Sequence, residues 1–318
     1  MQNKKLKLLT VISSIYNEEG NIEPFYQKLT KVLLQNNINF ELIFINDGSN
    51  DNSLMLLYKL ALDDKRVKII NFSRNFGQQS GISAGLEYAS GEATVIIDVD
   101  LQDPPELIIE LVNKWRQGFD VVNAKRKTRH DGFFKDLTAI LFYKILNLLL
   151  TTKIPENVGE FRLLDAKAVA VLRKLPEKDR YLRGLANWIG FKQALVEFNR
   201  KERFAGKTKY SFKMMIGLAL NAIFSFSRLP MRVATYSGLF LIAVAIFIVI
   251  YVIYSNLNRQ VVPGWTSEIL IFSIFSAIEL LALGIISEYV GRIYNQIQDR
   301  PMYIISDTTN LEKNSKKG

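Results

Sequence analysis

Three carboxylates, Asp98, Asp100 and Asp103, fall within "VIIDVDLQDPPE" (95–106), behind an apolar run and ahead of two prolines. A bend where the strand ends lets Asp98 and Asp100 converge, and Gln102 adds a neutral oxygen close by. Oxygen-only ligation suits a hard divalent cation, Mg²⁺ or Mn²⁺. Such an ion keeps positions open for water and substrate phosphate, where it can neutralise a diphosphate leaving group. A helix start competes for the same residues, because Asp before Pro is a good N-terminal signal. Asp103 is assigned to that cap, and Asp98 and Asp100 to metal. An Asp-x-Asp alone is a weak signal.

"NDGSND" (46–51) reads as a turn whose side chains make local hydrogen bonds. Asp47 there could instead accept the ring N–H of a uracil base, a selective contact because a buried carboxylate left unpaired costs about 1–3 kcal/mol or more. "GQQSGISAG" (77–85) is glycine-rich, yet it fits neither the dinucleotide fingerprint nor a P-loop. NAD enzymes and ATPases are thereby disfavoured. Basic residues form two groups, Lys125, Arg126, Lys127 and Arg129, then Arg203, Lys207 and Lys209 in "RFAGKTKYS". Either group is a solvated face or a phosphate clamp, and arginine forks match phosphate geometry.

Up to about residue 124, apolar runs alternate with amphipathic stretches. "LLTVISSIY", "FELIFIND", "VKIINFS", "ATVIIDVD" and "DVVNAKR" read as strands, with helices over 21–36, 52–62, 78–89 and 105–117. That alternation predicts an α/β fold, a mostly parallel sheet with helices on both faces. Ligands in such sheets sit beyond the carboxyl ends of the strands. "YNEE", "NDGSND" and "DVDLQD" all fall at that rim.

The chain has 318 residues, no cysteine and the single histidine His130, which removes disulfides, thiolate chemistry and most histidine-based chemistry. A formal charge of +10 points to anionic partners. The early run "LLTVISSIY" is short and ends in "NEE", so it reads as a buried strand rather than a signal peptide. Val233 to Tyr254 carries no charge, and Ile269 to Ser287 carries only Glu279. Each is long enough to span a hydrocarbon core of about 30 Å. Arg228, Arg232, Arg292 and Arg300 flank the pair, so both outer ends are expected to be cytoplasmic. Residues 137–150 are a buried or an interfacial helix, and 211–227 favour the interfacial form. The expected division is 1–210, a cytoplasmic sheet domain; 211–229, an amphipathic interfacial helix; 230–292, a hairpin with spans at about 233–254 and 268–290; and 293–318, a cytoplasmic tail.

Taken in order, "YNEEGNI", "INDGSND", "RNFGQQSGISAGLEYASGEATVIIDVDLQDPPE", "GEFRLLD", "ERFAGKTKYS" and "SEYVGRIYNQIQDRP" resemble the polyprenyl-phosphate glycosyltransferases. These are inverting family 2 enzymes of the GT-A fold, related to dolichyl-phosphate mannose synthase; the likeness is closest to the bacterial undecaprenyl-phosphate group. The resemblance spans essentially the whole chain. It implies a membrane-bound hexosyltransferase in the bacterial plasma membrane, moving a sugar, with glucose the first choice, from a UDP- or GDP-sugar to polyprenyl phosphate. It implies metal binding by Asp98, Asp100 and Gln102, and nucleotide-sugar contacts from Tyr16, Glu18, Asp47, Asn75 and Asp98. Arg126, Arg129, Arg203 and Lys207 resemble the acceptor-phosphate positions, and Glu160, Asp100 and Arg126 the catalytic ones. Nucleic acid is not an expected partner.

Three residues depart from the family pattern: Ser14 replaces a usual Pro, Glu160 a usual Asp, and Glu279 a common Gln. A phosphate monoester, with a second pKa of about 6, is already largely dianionic at neutral pH. It needs positioning more than deprotonation, so Glu160 is expected to orient groups or take a residual proton. An ionised carboxylate in mid-span is expensive, so Glu279 is protonated or paired across helices, which points to a homo-oligomer with a tetramer as one form, or is a tolerated polar position facing the partner span. A processive polysaccharide synthase would carry Gln-x-x-Arg-Trp and more spans, and Trp115, Trp188 and Trp265 lack that context. A non-enzymatic membrane adaptor would need neither the acidic pair nor the basic clusters.

Overall fold

Leu9–Ile15 forms β1, with Phe40–Asn46 (β2) parallel on one side and Ala93–Ile96 (β4) parallel on the other. Val67–Phe72 (β3) extends the sheet parallel to β2. The computed structural model describes residues 4–127, 158–178, 180–199, 229–257 and 264–311. Val121–Arg126 (β5) and Gln193–Phe198 (β7) pair parallel, while Val158–Asp165 (β6) lies antiparallel between β5 and β4. Ile305–Thr309 (β8) is antiparallel on β3. The order is β7-β5-β6-β4-β1-β2-β3-β8, with only β6 and β8 reversed.

Helices Glu19–Gln35 (α1), Ser53–Asp63 (α2), Gln78–Tyr88 (α3) and Leu107–Arg116 (α4) connect the first five strands. Ala166–Lys174 (α5) and Leu182–Trp188 (α6) connect β6 to β7. Every residue of β2 is buried, as an inner strand covered on both faces requires. Leu9, Val11 and Ile15 share one core with Ile22, Phe25 and Leu29 of α1, Leu57 of α2 and Leu111 and Trp115 of α4. Each fully buried large apolar side chain there stabilises the fold by roughly 1.5–3 kcal/mol. Ile12 and Ile45 face the opposite way, onto α3. There Gly85 permits close packing, since a Cβ would lie 2.5 Å from Ile12 Cγ2 and 3.0 Å from Ile45 Cδ1. The sheet is therefore covered on both faces, as its sequence pattern predicts.

At the rim opposite the site, Lys4 pairs with Asp120 at 2.8 Å and Asp165 at 2.7 Å, and Trp115 Nε1 donates to Asp165 at 2.8 Å. These contacts fasten the start of the chain to β5, β6 and α4.

A second compact unit holds Leu229–Leu257 (α7) and Trp265–Ile297 (α8), which pack against each other. Pro230–Ile248 and Ile274–Ile297 are long and apolar enough to cross a membrane, and neither is buried within the chain. Both helices outrun the expected spans. Within 293–318, expected as the C-terminal tail, α8 runs to Ile297 and 305–309 is a strand of the sheet unit. Residues 137–150, 211–228, Arg129, Arg203, Lys207 and Lys209 lie outside the described residues.

Candidate active site

β4 ends at Ile96, two residues before Asp98, because the chain turns there rather than continuing the ladder. Leu101 takes φ +57°, in the left-handed region that L residues rarely occupy, and Asp100 Oδ1 accepts the Gln102 N–H at 3.2 Å. This turn gathers Asp98, Asp100 and Gln102 at the carboxyl rim. β6 brings in the next group. It pairs Ile96 with Arg162 and runs the other way, so Glu160 falls level with Asp98.

Glu160 is buried and tied down from three sides. Its Oε1 accepts Arg183 Nε at 2.7 Å and Gln79 Nε2 at 3.2 Å, and Arg162 Nη2 lies 3.5 Å from Oε2. Burial pushes the Glu160 carboxyl up, but the Arg183 and Arg162 guanidiniums and these hydrogen bonds outweigh it and hold it below its ordinary value. It is ionised at neutral pH. Arg162 is itself buried, donating to Gly159 O at 2.8 Å. Arg126 Nη2 stands 3.8 Å from Asp103 Oδ1 and close beside Gly159, where a Cβ would lie 3.0 Å from it.

Asp98 carries the opposite perturbation. Burial, then the charges of Asp103, Asp100 and Glu160, push its carboxyl up to about 7, with Arg126 opposing. Gln78 Nε2 donates to Asp98 Oδ1 at 2.8 Å. Three further carboxylates crowd Asp98, a repulsion that a hard dication would relieve. Among the described residues no three His, Cys, Asp or Glu side chains converge as a ready-made cage. The neighbouring carboxylates of Asp98 and Asp100 fit an ion that takes its remaining ligands from water and phosphate.

The residues expected on the nucleotide side lie at the ends of β1, β2 and β3. Asp47 is buried, and each of its oxygens accepts a backbone N–H, from Phe76 at 2.6 Å and Gly77 at 2.9 Å. Burial nevertheless leaves its carboxyl above the usual value. Asp47 thus pins the turn that opens α3, and Gln78, one residue on, joins that turn to Asp98. Gly48 makes the close approach possible: at φ +67°, a Cβ would lie 2.4 Å from Arg74 C and 2.6 Å from Asn75 N. Asn17 Oδ1 accepts the Asn50 N–H at 2.8 Å, and Ser53 Oγ accepts the Glu18 N–H at 3.0 Å, which stitches the two loops together. Tyr16 and Asn75 stand exposed, and Glu18 is half-buried.

One expectation is corrected. Asp103 does not cap α4, whose N-cap is Glu106 without a side-chain cap bond. It is buried and turned toward Arg126, so it belongs to the acidic cluster. Gln78, Gln79, Arg162 and Arg183 are site residues that the sequence did not single out. Arg162 stood inside the quoted "GEFRLLD", but nothing local marks Arg183.

A model of the glycosyl transferase family 2 domain matches residues 10–173, which contain β1 to β6 and the Asp98–Glu160 cluster. An uncharacterised glycosyltransferase of Bacillus subtilis, YkcC, is 45% identical over 95% of this chain and 94% of its own length. A prophage-derived bactoprenol glucosyl transferase of Shigella flexneri is 39% identical over 93% of this chain and 97% of its own. The crystal structure of glucosyl-3-phosphoglycerate synthase from Mycobacterium tuberculosis covers 68% of this chain and 77% of its own at 18% identity, with a TM-score of 0.46. The chain belongs to glycosyl transferase family 2 and is a glycosyltransferase.

Proposed function

We propose that the chain transfers a sugar, glucose by preference, from a UDP-sugar to polyprenyl phosphate, specifically undecaprenyl phosphate. It works at the bacterial plasma membrane with the sheet unit on the cytoplasmic side. The observation that carries this reading is the rim where Asp98, Asp100, Asp103 and Glu160 meet Arg126, Arg162 and Arg183. Such a site accommodates a diphosphate and a phosphate together. The relatives named for bactoprenol glucosyl transfer support the acceptor, and the two exposed apolar helices support a membrane setting. Neither an adaptor role nor a soluble acceptor accounts for both.

In this reading the acceptor phosphate oxygen attacks the anomeric carbon as the carbon–oxygen bond to the diphosphate breaks. The electron pair leaves with UDP, and the configuration inverts. A divalent cation held by Asp98, Asp100 and Gln102 would neutralise charge developing on that diphosphate. Arg126, 3.8 Å from Asp103, would hold phosphate, with Arg129, Arg203 and Lys207 as further acceptor contacts. Glu160, ionised between Arg162 and Arg183, orients the guanidiniums that receive phosphate oxygens; a dianionic acceptor needs no proton removed. Tyr16, Glu18, Asp47 and Asn75 bind the nucleoside side of the donor. Glu279 pairs across helices in a homo-oligomer.

The test is incubation of membranes carrying the protein with labelled UDP-sugars and undecaprenyl phosphate. A chloroform-soluble labelled product, greatest with UDP-glucose, is expected. A water-soluble polymer would instead mark a processive synthase, and no transfer to lipid would overturn the proposal.

A further inference from the structure

Residues 303–310 follow α8 in sequence, yet they belong to the sheet unit, where β8 pairs with β3. On β8, Asp307 lies opposite Asn71, and Ile305 opposite Phe72 across a bulge. Asp307 Oδ2 accepts Asn71 Nδ2 at 2.6 Å, and Asn71 Oδ1 accepts Asn46 Nδ2 at 2.8 Å. Asn46 Oδ1 in turn accepts the Ser49 N–H at a long 3.4 Å. Tyr58 of α2 donates its hydroxyl to the other Asp307 oxygen.

A second route from the same segment is aromatic. Tyr303 stacks on Phe72 with ring centroids 4.9 Å apart, and Phe72 meets Phe76 edge-on at 5.7 Å. The Phe76 N–H then donates to Asp47 at 2.6 Å. Both routes start within 303–307 and end on neighbours, Asn46 and Asp47. Asn46 and Asn71 are 1% and 9% exposed, so each depends on its partner for its hydrogen bonds. Loss of Asp307 frees the Asn71 amide to turn, and Asn46 loses its acceptor.

We propose that the segment after α8 positions the donor loop 46–49, with Asp307 and Tyr303 as positioning residues that touch neither donor nor acceptor. The inference rests on the reading of Asp47 and its loop as donor contacts. Residues far along the sequence thereby set the geometry at the mouth of β2.

The experiment uses the full chain in detergent or nanodiscs and compares Asp307→Ala, Asp307→Asn and Asn310→Ala. Asn310 anchors the end of β8, donating to Ala61 O at 2.7 Å and Val67 O at 2.9 Å, and takes no part in either route. For Asp307→Ala the UDP Kd and the donor KM are expected to rise about tenfold, equal to ~1.4 kcal/mol. Its kcat at saturating donor should stay within about twofold of the parent. Asp307→Asn keeps one acceptor oxygen and should recover most of the affinity. Asn310→Ala should lower the melting temperature with the donor KM unmoved. Should Asp307→Ala fail to fold, Tyr303→Leu carries the same measurement, with donor KM expected to rise. Parental donor affinity in Asp307→Ala, or in Tyr303→Leu where Asp307→Ala does not fold, or an equal KM rise in Asn310→Ala, overturns the inference. A parent that binds neither UDP nor any UDP-sugar overturns the donor reading, and the inference with it.

Discussion

Glu160→Gln separates positioning from proton transfer at this site. The glutamine keeps an oxygen for Arg183 and Gln79, which now bond at 2.7 and 3.2 Å, but it sets an NH₂ toward Arg162, 3.5 Å from the present Oε2. Two guanidiniums then face a neutral, partly mismatched amide. Removing one partner of a buried pair costs about 3–5 kcal/mol. Arg183 is partly exposed and the oxygen contact survives, so roughly 2 kcal/mol of stability is expected to go. Displacing Arg162 and Arg183 by a fraction of an ångström should lower kcat by about a hundredfold. The assay is lipid-phosphate glucosylation at saturating donor, run from about pH 5 to pH 8, across the acceptor's second pKa of about 6. In a positioning role, both parent and variant lose rate as the pH falls through that value, because the acceptor itself protonates. Parental turnover in the variant refutes the role. So does a parent that keeps its full rate about one unit below the acceptor pKa while the variant loses it, since Glu160 would then be taking the proton.

Three further outcomes follow from the same geometry. Asp100→Asn at saturating donor should cut turnover about a hundredfold and raise the Mg²⁺ or Mn²⁺ needed for half-maximal rate; activity equal to the parent, with unchanged metal dependence, removes the metal assignment. Gly48→Ala puts a Cβ 2.4 Å from backbone Arg74 C at φ +67°, so donor KM should rise by about tenfold and stability fall by roughly 2–3 kcal/mol, read by donor titration and thermal melts. Glu41 is buried, which pushes its carboxyl up, but Lys68 at 2.5 Å, Thr10 and Ser90 bring it below the ordinary value. A lowered folded pKa means stability present in full above the unfolded value of about 4.3 and lost as pH falls through the folded one. Melting temperature should therefore drop across that acid window, and less so in Glu41→Gln, which starts roughly 3 kcal/mol less stable at pH 7; parallel curves would show that Glu41 is not the titrating group.

The inner strands and the rim are legible in the sequence because their causes are local. β1, β2 and β3 are covered on both faces, so their apolar runs stand out, and the polar clusters follow where each run stops. β4 is shorter than "ATVIIDVD" suggests, because the turn at Leu101 takes the last residues out of the ladder. β8, "ISDTT", has no apolar periodicity; its place is decided by pairing with β3 and by Asp307 meeting Asn71 and Tyr58.

Asp103 shows the limit most clearly. Asp before Pro is the same local signal whether the carboxylate caps a helix or faces a guanidinium, and the deciding neighbour, Arg126, arrives from another strand. Glu160 depends still more on topology. Only because β6 inserts antiparallel between β4 and β5 does Arg162 stand beside Ile96 and Glu160 beside Asp98. Had β6 joined parallel, the same "GEFR" would sit with its arginine toward the rim and its carboxylate toward the sheet interior. The chemistry of the segment is written in its residues, but its direction through the sheet is set by its partner strands β4 and β5, distant in sequence. Gln79 and Arg183 enter for the same reason, since each acquires a role only after Glu160 has been placed between them.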